Sequence, residues 1–144
     1  MQVGQILKSK AQSGVVTITP DQTVGAVAEL LSSRKIGAVI VSTDGRRVDG
    51  ILSERDIVRE LGRRGAICLE DKASQIMTAN PVCCEIGENS DEIFAKMNEG
   101  RFRHMPVVEE GEMIGLISIG DVVKARLAEM AMEKTALEGM IMGF

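Results

Sequence analysis

Aromatic side chains are almost missing from this sequence, which has no Trp, no Tyr and three Phe among its 144 residues. A buried core must therefore be built from aliphatic side chains and Met. Hydrophobic residues make up 44% of the chain, an ordinary share for a globular protein. The length suits one compact domain or two small halves that pack closely together.

Cysteine is also scarce, with Cys68, Cys83 and Cys84 as the three positions. An odd number without Cys-x-x-Cys spacing fits neither a disulfide framework nor a zinc site. No apolar run approaches the roughly 20 residues that span a bilayer, and the first residues do not have the shape of a signal peptide. We therefore expect a cytoplasmic protein with reduced thiols and no membrane association.

A net positive charge and common enzyme motifs are missing as well. The net charge of −4 disfavours nucleic-acid binding, because neutralising phosphates requires a dominant basic face. The chain contains no Gly-x-x-x-x-Gly-Lys, Gly-x-Gly-x-x-Gly or His-Glu-x-x-His motif. Cys83 or Cys84 with His104 could form a nucleophile pair in principle, but nothing else in the sequence supports catalysis. We expect a protein that is not an enzyme.

What the sequence does contain is an internal repeat. Residues 16–41 align with residues 82–107 at an offset of 66, and residues 48–59 align with residues 113–124 at an offset of 65. Each copy has about 60 residues, too few to bury a large core alone. The sequence therefore predicts an α/β fold of two pseudo-symmetric β-α-β-β-α repeats, packed sheet to sheet.

Hydrophobic periodicity predicts the same elements in both copies. An apolar stripe marks the first helix of each copy, formed by Val24, Val27, Ala28 and Leu31 and then by Ile93, Phe94 and Met97. Strands are predicted over 15–18, 36–41 and 48–53, and over 82–85, 102–107 and 113–118. Closing helices begin at Glu54 and Ile119, and short helical pieces cover 3–8 and 73–77. We divide the chain into a first repeat with its N-terminal short helix (1–72), a second repeat (73–128) and a Met-rich helical tail (129–144).

Each copy carries Ser-x-x-Asp where a strand ends and a helix begins, as Ser53 with Asp56 and as Ser118 with Asp121. One interpretation is a capping box, in which the two side chains satisfy free amides of the helix. The other is a ligand site, since a helix N-terminus attracts anions and a carboxylate there can bind ribose hydroxyls. The two interpretations are compatible, because the Ser can cap while the Asp binds.

The single histidine, His104, lies in a basic stretch with Arg101 and Arg103. A guanidinium fork matches phosphate oxygens, so this stretch is a candidate phosphate site. The alternative is a solvated edge strand whose charges prevent pairing with other chains. Copy one has Gly37 and Ala38 where copy two has Arg103 and His104, a departure from symmetry between the two sites.

Three signatures together give the chain a family resemblance. They are Gly50–Ile57 with its counterpart Gly115–Val122, the segment Arg103–Val108, and Ile76-Met77-Thr78 followed by Pro81. Over nearly its whole length, and twice, the chain resembles the cystathionine β-synthase (CBS) domain pair, a regulatory module. The resemblance implies a sensor that binds an adenosine-containing nucleotide (AMP, ADP, ATP or NAD(H)) between the repeats and signals to a separate, unknown partner protein.

The resemblance also implies roles for particular residues. It places Asp56 and Asp121 on ribose, Ser53 and Ser118 near ribose or phosphate, and Arg103 and His104 on the phosphates. The other candidates are Thr17, Ile18 and Cys83 on the strands beside the adenine, small Ala38, apolar Met105, Pro106 on the strand that borders the cleft, and charged Arg55. Magnesium could accompany a triphosphate.

The resemblance further implies a homodimer formed through helices, and closed two-fold dimers are the commonest oligomers in general. The apolar stripe of the Met-rich tail is interpreted as core or dimer contact, with a partner-binding Met face as the alternative. A different class of function remains open at this point. In it the protein is a ligand-independent dimerisation or interaction module, and Ser-x-x-Asp only caps helices.

Overall fold

The computed structural model describes residues 1–10 and 14–143. Its elements in chain order are α1 (Val3–Ser9), β1 (Thr17–Ile18), α2 (Val24–Arg34), β2 (Ala38–Val41), β3 (Gly50–Ser53), α3 (Glu54–Arg64), a 3-10 helix (Gly65–Glu70), α4 (Ala73–Ile76), β4 (Thr78–Ala79), α5 (Ser90–Gly100), β5 (His104–Glu109), β6 (Glu112–Ser118) and α6 (Ile119–Ile141). The predicted α/β fold of two repeats is confirmed.

The repeat is visible in how the first strand of each copy pairs. β1 runs parallel to β2 with Ile18 opposite Val41, and Cys84 forms a parallel bridge with Val107, 66 residues later in both members. In the second copy the segment predicted as a strand over 82–85 joins the ladder only at Cys84. Its N–H donates to Pro106 O (2.9 Å) and its C=O accepts from Val108 N–H (2.8 Å).

The two hairpins repeat as well. β2 pairs antiparallel with β3, which puts Ala38 opposite Ser53, and β5 pairs antiparallel with β6, which puts His104 opposite Ser118. The first sheet has the strand order β1-β2-β3-β4, and β5 and β6 form a second sheet. In each repeat the residue that caps the closing helix therefore lies beside the start of the neighbouring strand.

The two short helices pack across the repeats. Val3 and Ile6 of α1 are buried in the core of the second repeat, where Val3 N–H donates to Glu88 O (2.8 Å). Ala73 and Ile76 of α4 are buried in the core of the first repeat. The division of the chain after residues 72 and 128 stays a prediction. The short helix on each side of the first boundary packs in the core of the other repeat.

Each repeat has its own hydrophobic core. The first contains Ile18, Val24, Val27, Leu31, Val39, Val41, Leu52, Ile57, Ala73 and Ile76, and the second contains Val3, Ile6, Cys84, Ile93, Met97, Met105, Val107, Ile117, Val122 and Ala125. The prediction that Phe94 belongs to the apolar stripe is wrong, because Phe94 is 42% exposed whereas Ile93 is fully buried. One residue along a helix turns the side chain by about 100°.

The closing helix α6 continues unbroken from Ile119 to Ile141. Its C-terminal half extends past the second core, so the predicted Met-rich tail is the exposed end of this helix, and Phe144 lies outside the described residues. Across 1–10 and 14–143, none of the helices is both long and apolar enough to cross a bilayer.

The two halves meet where β2 and β5 begin. Gly37 lies against the imidazole of His104, and a Cβ on Gly37 would be 3.3 Å from the ring. A backbone hydrogen bond from Met113 N–H to Arg46 O (2.8 Å) joins the hairpin loops. This close approach leaves one cleft on each side of the contact.

Candidate functional site

Two clefts lie between the repeats, and both are built in the same way. Cleft 1 has a volume of about 480 Å³ and is lined by Ile51, Ser53, Glu54, Arg55, Asp56, Arg59, Thr78, Asn80, Pro81, Val82, Gly100, Arg101, Phe102, Arg103 and His104. Cleft 2 has a volume of about 200 Å³ and is lined by Lys10, Gly14, Val15, Val16, Ile36, Gly37, Ala38, His104, Leu116 and Ser118. Each cleft is formed by the N-terminus of a helix from one repeat and the first residues of a strand from the other.

The linings correspond through the sequence repeat. The cleft 1 residues Ile51, Ser53, Val82, Phe102, Arg103 and His104 match the cleft 2 residues Leu116, Ser118, Val16, Ile36, Gly37 and Ala38 at offsets of 65 or 66. The apolar and capping positions are similar in kind. The basic positions are not, because Gly37 and Ala38 replace Arg103 and His104.

Asp56 is both a helix cap and a wall of cleft 1. Its Oδ2 accepts hydrogen bonds from the N–H (2.9 Å) and the hydroxyl (3.0 Å) of Ser53, whose Oγ in turn accepts from Asp56 N–H (3.3 Å). This reciprocal pair is a capping box. The other carboxylate oxygen, Oδ1, accepts from Arg59 Nη2 at 2.8 Å. The capping arrangement is therefore present, and the same carboxylate, 8% exposed, reaches the cleft.

Asp121 forms the equivalent capping box with Ser118 at the start of α6. Its Oδ2 accepts from Ser118 N–H (2.9 Å) and also lies 2.9 Å from Lys10 Nζ. Lys10 Nζ donates in addition to Leu116 O (2.7 Å). Burial by itself raises the pKa of Asp121, but the Ser118 amide and the Lys10 ammonium outweigh burial, so this pKa lies below the ordinary Asp value.

Positive charge is concentrated in cleft 1. Four guanidinium groups, Arg55, Arg59, Arg101 and Arg103, line it together with two carboxylates, Glu54 and Asp56. Arg101 ends α5 in the left-handed conformation (φ 57°), which turns the chain so that the next three residues also line the cleft. The planar fork of Arg binds phosphate oxygens in pairs, so this wall suits an anion.

His104 adds no charge to this wall at neutral pH. Burial has the largest effect and lowers the pKa of His104, while Glu54 and Asp121 raise it and Lys10 and Arg103 lower it, so the pKa lies below its ordinary value. The neutral imidazole can still donate one hydrogen bond and accept another.

The clefts gather only part of the predicted site. Cleft 1 brings together Ser53, Arg55, Asp56, Arg103 and His104, and cleft 2 brings together Ala38, Ser118 and again His104, with Asp121 bound to Lys10 at its edge. Thr17 lines an open cavity beside β1 that shares Gly14, Val15, Val16 and Ile36 with cleft 2. Ile18, Cys83, Met105 and Pro106 line neither of the two clefts nor this cavity.

The side chains of two predicted residues, Ile18 and Met105, are buried in the two cores, so these side chains do not line the clefts. The reason is the two-residue period of a strand. His104 faces the cleft, and the next side chain, Met105, faces the opposite way into the core.

The cysteines give no support to a nucleophile. Burial raises the pKa of the Cys83 thiol, and burial together with Glu88 and Cys83 raises the pKa of Cys84 to about 12. Cys84 also lies within the second core. Both thiols are therefore protonated at neutral pH, whereas a nucleophilic cysteine needs the thiolate.

Some lining residues were not among the predicted ones. Thr78, Asn80, Pro81 and Val82 belong to the segment that enters the second copy, and Phe102 packs over Gly100. The Thr78 and Pro81 signature was visible in the sequence, but its position beside α3 depends on β4 pairing with β3. Across 1–10 and 14–143, no group of three or more His, Cys, Asp or Glu side chains is placed to hold a metal ion.

Comparisons with known proteins agree with this architecture. The family model for the CBS domain matches residues 3–63 and residues 73–128. The crystal structure of the CBS-domain containing protein ATU1752 from Agrobacterium tumefaciens is 44% identical, with a TM-score of 0.83, over 88% of this chain and 99% of that one. The CBS domain protein PAE2072 from Pyrobaculum aerophilum, complexed with AMP, is 26% identical, with a TM-score of 0.77, over 92% and 99%.

Among curated sequences, the mitochondrial CBS domain-containing protein CBSX3 from Arabidopsis thaliana is 30% identical over 148 residues, which cover 98% of this chain and 72% of that protein. Other plant relatives are much longer, and the chain spans 24% and 23% of the length of two of them.

Proposed function

Because the chain belongs to the CBS-domain family, we propose that it is a regulatory module that binds an adenosine-containing nucleotide in cleft 1. One observation carries the proposal: a helix-capping carboxylate and four guanidinium groups line the same cleft. The volume of about 480 Å³ lies within the range of about 300–1,000 Å³ that is usual for small-molecule sites. The AMP bound by PAE2072 supports the same ligand class.

The ribose binds at Asp56 in this proposal. A carboxylate has about four lone-pair positions, and Ser53 and Arg59 use three of them. Arg59 is 56% exposed, so its guanidinium can move aside while the Ser53 amide keeps the helix capped. The two ribose hydroxyls then donate to the freed carboxylate oxygen, as they do to acidic residues in other nucleotide folds.

The phosphate faces Arg55, Arg101 and Arg103, with His104 as a neutral donor. The free amides at the start of α3 add to the attraction for an anion. The purine lies against the apolar part of the wall, Val82 and Phe102, since an aromatic ring stacks on any base. AMP, ADP, ATP and NAD(H) all share the adenosine and one phosphate that this arrangement needs.

Isothermal titration calorimetry with AMP, ADP, ATP, NAD+ and NADH tests the proposal. We expect Asp56→Asn to weaken binding at least tenfold, because the amide donates where the ribose needs an acceptor. The matched control is Asp91→Asn, a first-turn carboxylate of α5 away from cleft 1. If no adenosine nucleotide binds, or if both variants bind equally well, the nucleotide function is wrong and a ligand-independent interaction module remains.

We also propose that the module acts as a homodimer and passes the state of cleft 1 to a separate protein, without catalysis of its own. Support for the dimer comes from unpartnered apolar side chains on the two closing helices, Val58 on α3 and Val123, Leu127 and Met130 on α6. Val58 and Val123 correspond through the repeat. Sedimentation equilibrium should give a dimer that Leu127→Glu dissociates, and a monomeric wild-type chain would contradict this part of the proposal.

A further inference from the structure

We infer that Lys10 keeps the nucleotide out of cleft 2 by holding the Asp121 carboxylate, so that the chain has a single open nucleotide site. This inference rests on the function proposed for cleft 1. It assigns Lys10 as the residue that determines which of the two related clefts binds the ligand.

The position of Lys10 is set by the helix that precedes it. Lys10 follows α1 directly, and Val3 and Ile6 anchor α1 in the second core. The ammonium thereby reaches the wall of cleft 2, where it lies 2.9 Å from Asp121 Oδ2 and donates to Leu116 O at 2.7 Å. The side chains of Lys10 and Asp121 are 28% and 17% exposed, so water screens the pair only in part.

The ammonium and a ribose compete for the same carboxylate, since Lys10 Nζ lies 2.9 Å from Asp121 Oδ2, the oxygen that also accepts from Ser118 N–H. Asp121 is the repeat counterpart of Asp56, whose carboxylate holds the ribose in the proposed function. Both donors would form charge-assisted hydrogen bonds with the carboxylate, but only the ammonium also brings an opposite charge, so neutral hydroxyls do not displace Lys10 on equal terms. The Asp121 carboxylate is also stabilised in its charged form by this contact.

In the described part of the chain, cleft 2 offers a phosphate fewer cationic partners than cleft 1. Gly37, Ala38 and Gly120 stand where cleft 1 has Arg103, His104 and Arg55. Among the described residues no guanidinium lines cleft 2 itself, and Arg34 lines only the open cavity that adjoins it.

Cleft 1 has no equivalent of Lys10. The capping boxes of α1 and α4 match at an offset of 70, with Gln2 and Gln5 corresponding to Lys72 and Gln75. Asn80 then corresponds to Lys10, and it lines cleft 1. The neutral amide of Asn80 cannot form an ion pair with Asp56. The cation on Asp56 is instead Arg59, which is 56% exposed against 28% for Lys10 and is therefore freer to move aside for a ribose.

Calorimetry with adenosine as the probe tests the inference, because adenosine needs no phosphate site. We expect one binding site per chain in the wild type, two in Lys10→Met and one in Lys10→Arg, which keeps the charge. Lys8→Ala, an exposed position on the same helix, is the matched control and should bind one equivalent. Circular dichroism melting of each variant verifies that it is folded.

Two further variants in the Lys10→Met background separate this inference from the function proposed for cleft 1. Asp56→Asn should leave one site and Asp121→Asn should remove the new one. Binding that appears only in Lys10→Met and depends on Asp121 supports the inference even if cleft 1 binds nothing. A wild type that binds through Asp121, a Lys10→Met variant that gains no site, or no binding by any variant would overturn it.

Discussion

Replacing Arg103 by Ala should distinguish phosphate binding from every other contribution to affinity. Arg103 lines cleft 1, whereas its repeat counterpart in cleft 2 is Gly37. The variant therefore gives cleft 1 an apolar residue in place of one guanidinium, without touching Asp56 or the helix cap. In the proposed function it removes a phosphate contact and leaves the ribose and purine contacts intact.

The size of the effect follows from the exposure of the site. A hydrogen bond to a charged group contributes about 1.5–3 kcal/mol, and the lower part of this range applies because Arg103 is exposed to water. Since 1.4 kcal/mol corresponds to a factor of ten, AMP should bind about 10–30-fold more weakly to Arg103→Ala. Adenosine, which has no phosphate, should bind with unchanged affinity.

Calorimetry with AMP and adenosine at low and at high salt measures both quantities. The difference between wild type and variant should shrink as salt screens the guanidinium–phosphate pair. Arg63→Ala is the control, because Arg63 lies at the far end of α3 and pairs with Glu60. Equal losses for AMP and adenosine would refute the assignment of Arg103 to the phosphate, as would a loss that does not change with salt.

Two other predictions concern stability. The pKa of His104 is lowered by burial from its ordinary value of 6.5, so the unfolded chain binds a proton more readily than the folded chain. The free energy of unfolding should then be highest above about pH 6.5 and should fall as the pH drops towards 5. Urea titrations of His104→Gln should show a smaller fall over the same pH range. Equal pH dependence in the wild type and the variant would contradict this prediction. Ile93→Ala should lower the free energy of unfolding by about 2–5 kcal/mol, and Phe94→Ala should lower it much less, because only Ile93 is buried. The reverse order in urea unfolding would show that α5 turns a different face to the core.

Much of the fold could be predicted from local patterns. The offset of 66 residues reappears in the pairing of Ile18 with Val41 and of Cys84 with Val107. The caps at Ser53 and Ser118 also follow from local sequence, since a capping box involves residues three apart. Interactions of this range are encoded within a few residues of each other, which is why they can be predicted without a tertiary structure.

Which face of a helix or strand is buried was harder to predict from the sequence. Phe94 is as apolar as Ile93, and only the orientation of α5 towards its core decides which of them is buried. Met105 was a candidate because it is apolar, but alternation along β5 turns its side chain into the core while the side chain of His104 faces the cleft.

The amino-acid sequence alone determined the repeat, the α/β class, the helix caps and the family, because each depends on spacing within one segment or on comparison of one segment with another. Tertiary structure alone decided which walls face each other. It places Arg103 in the same cleft as Asp56, and it places Lys10 within 2.9 Å of Asp121. Lys10 and Asp121 are 111 positions apart in the chain, and α1 brings them together only by packing on the opposite repeat, so no local pattern could have predicted this ion pair.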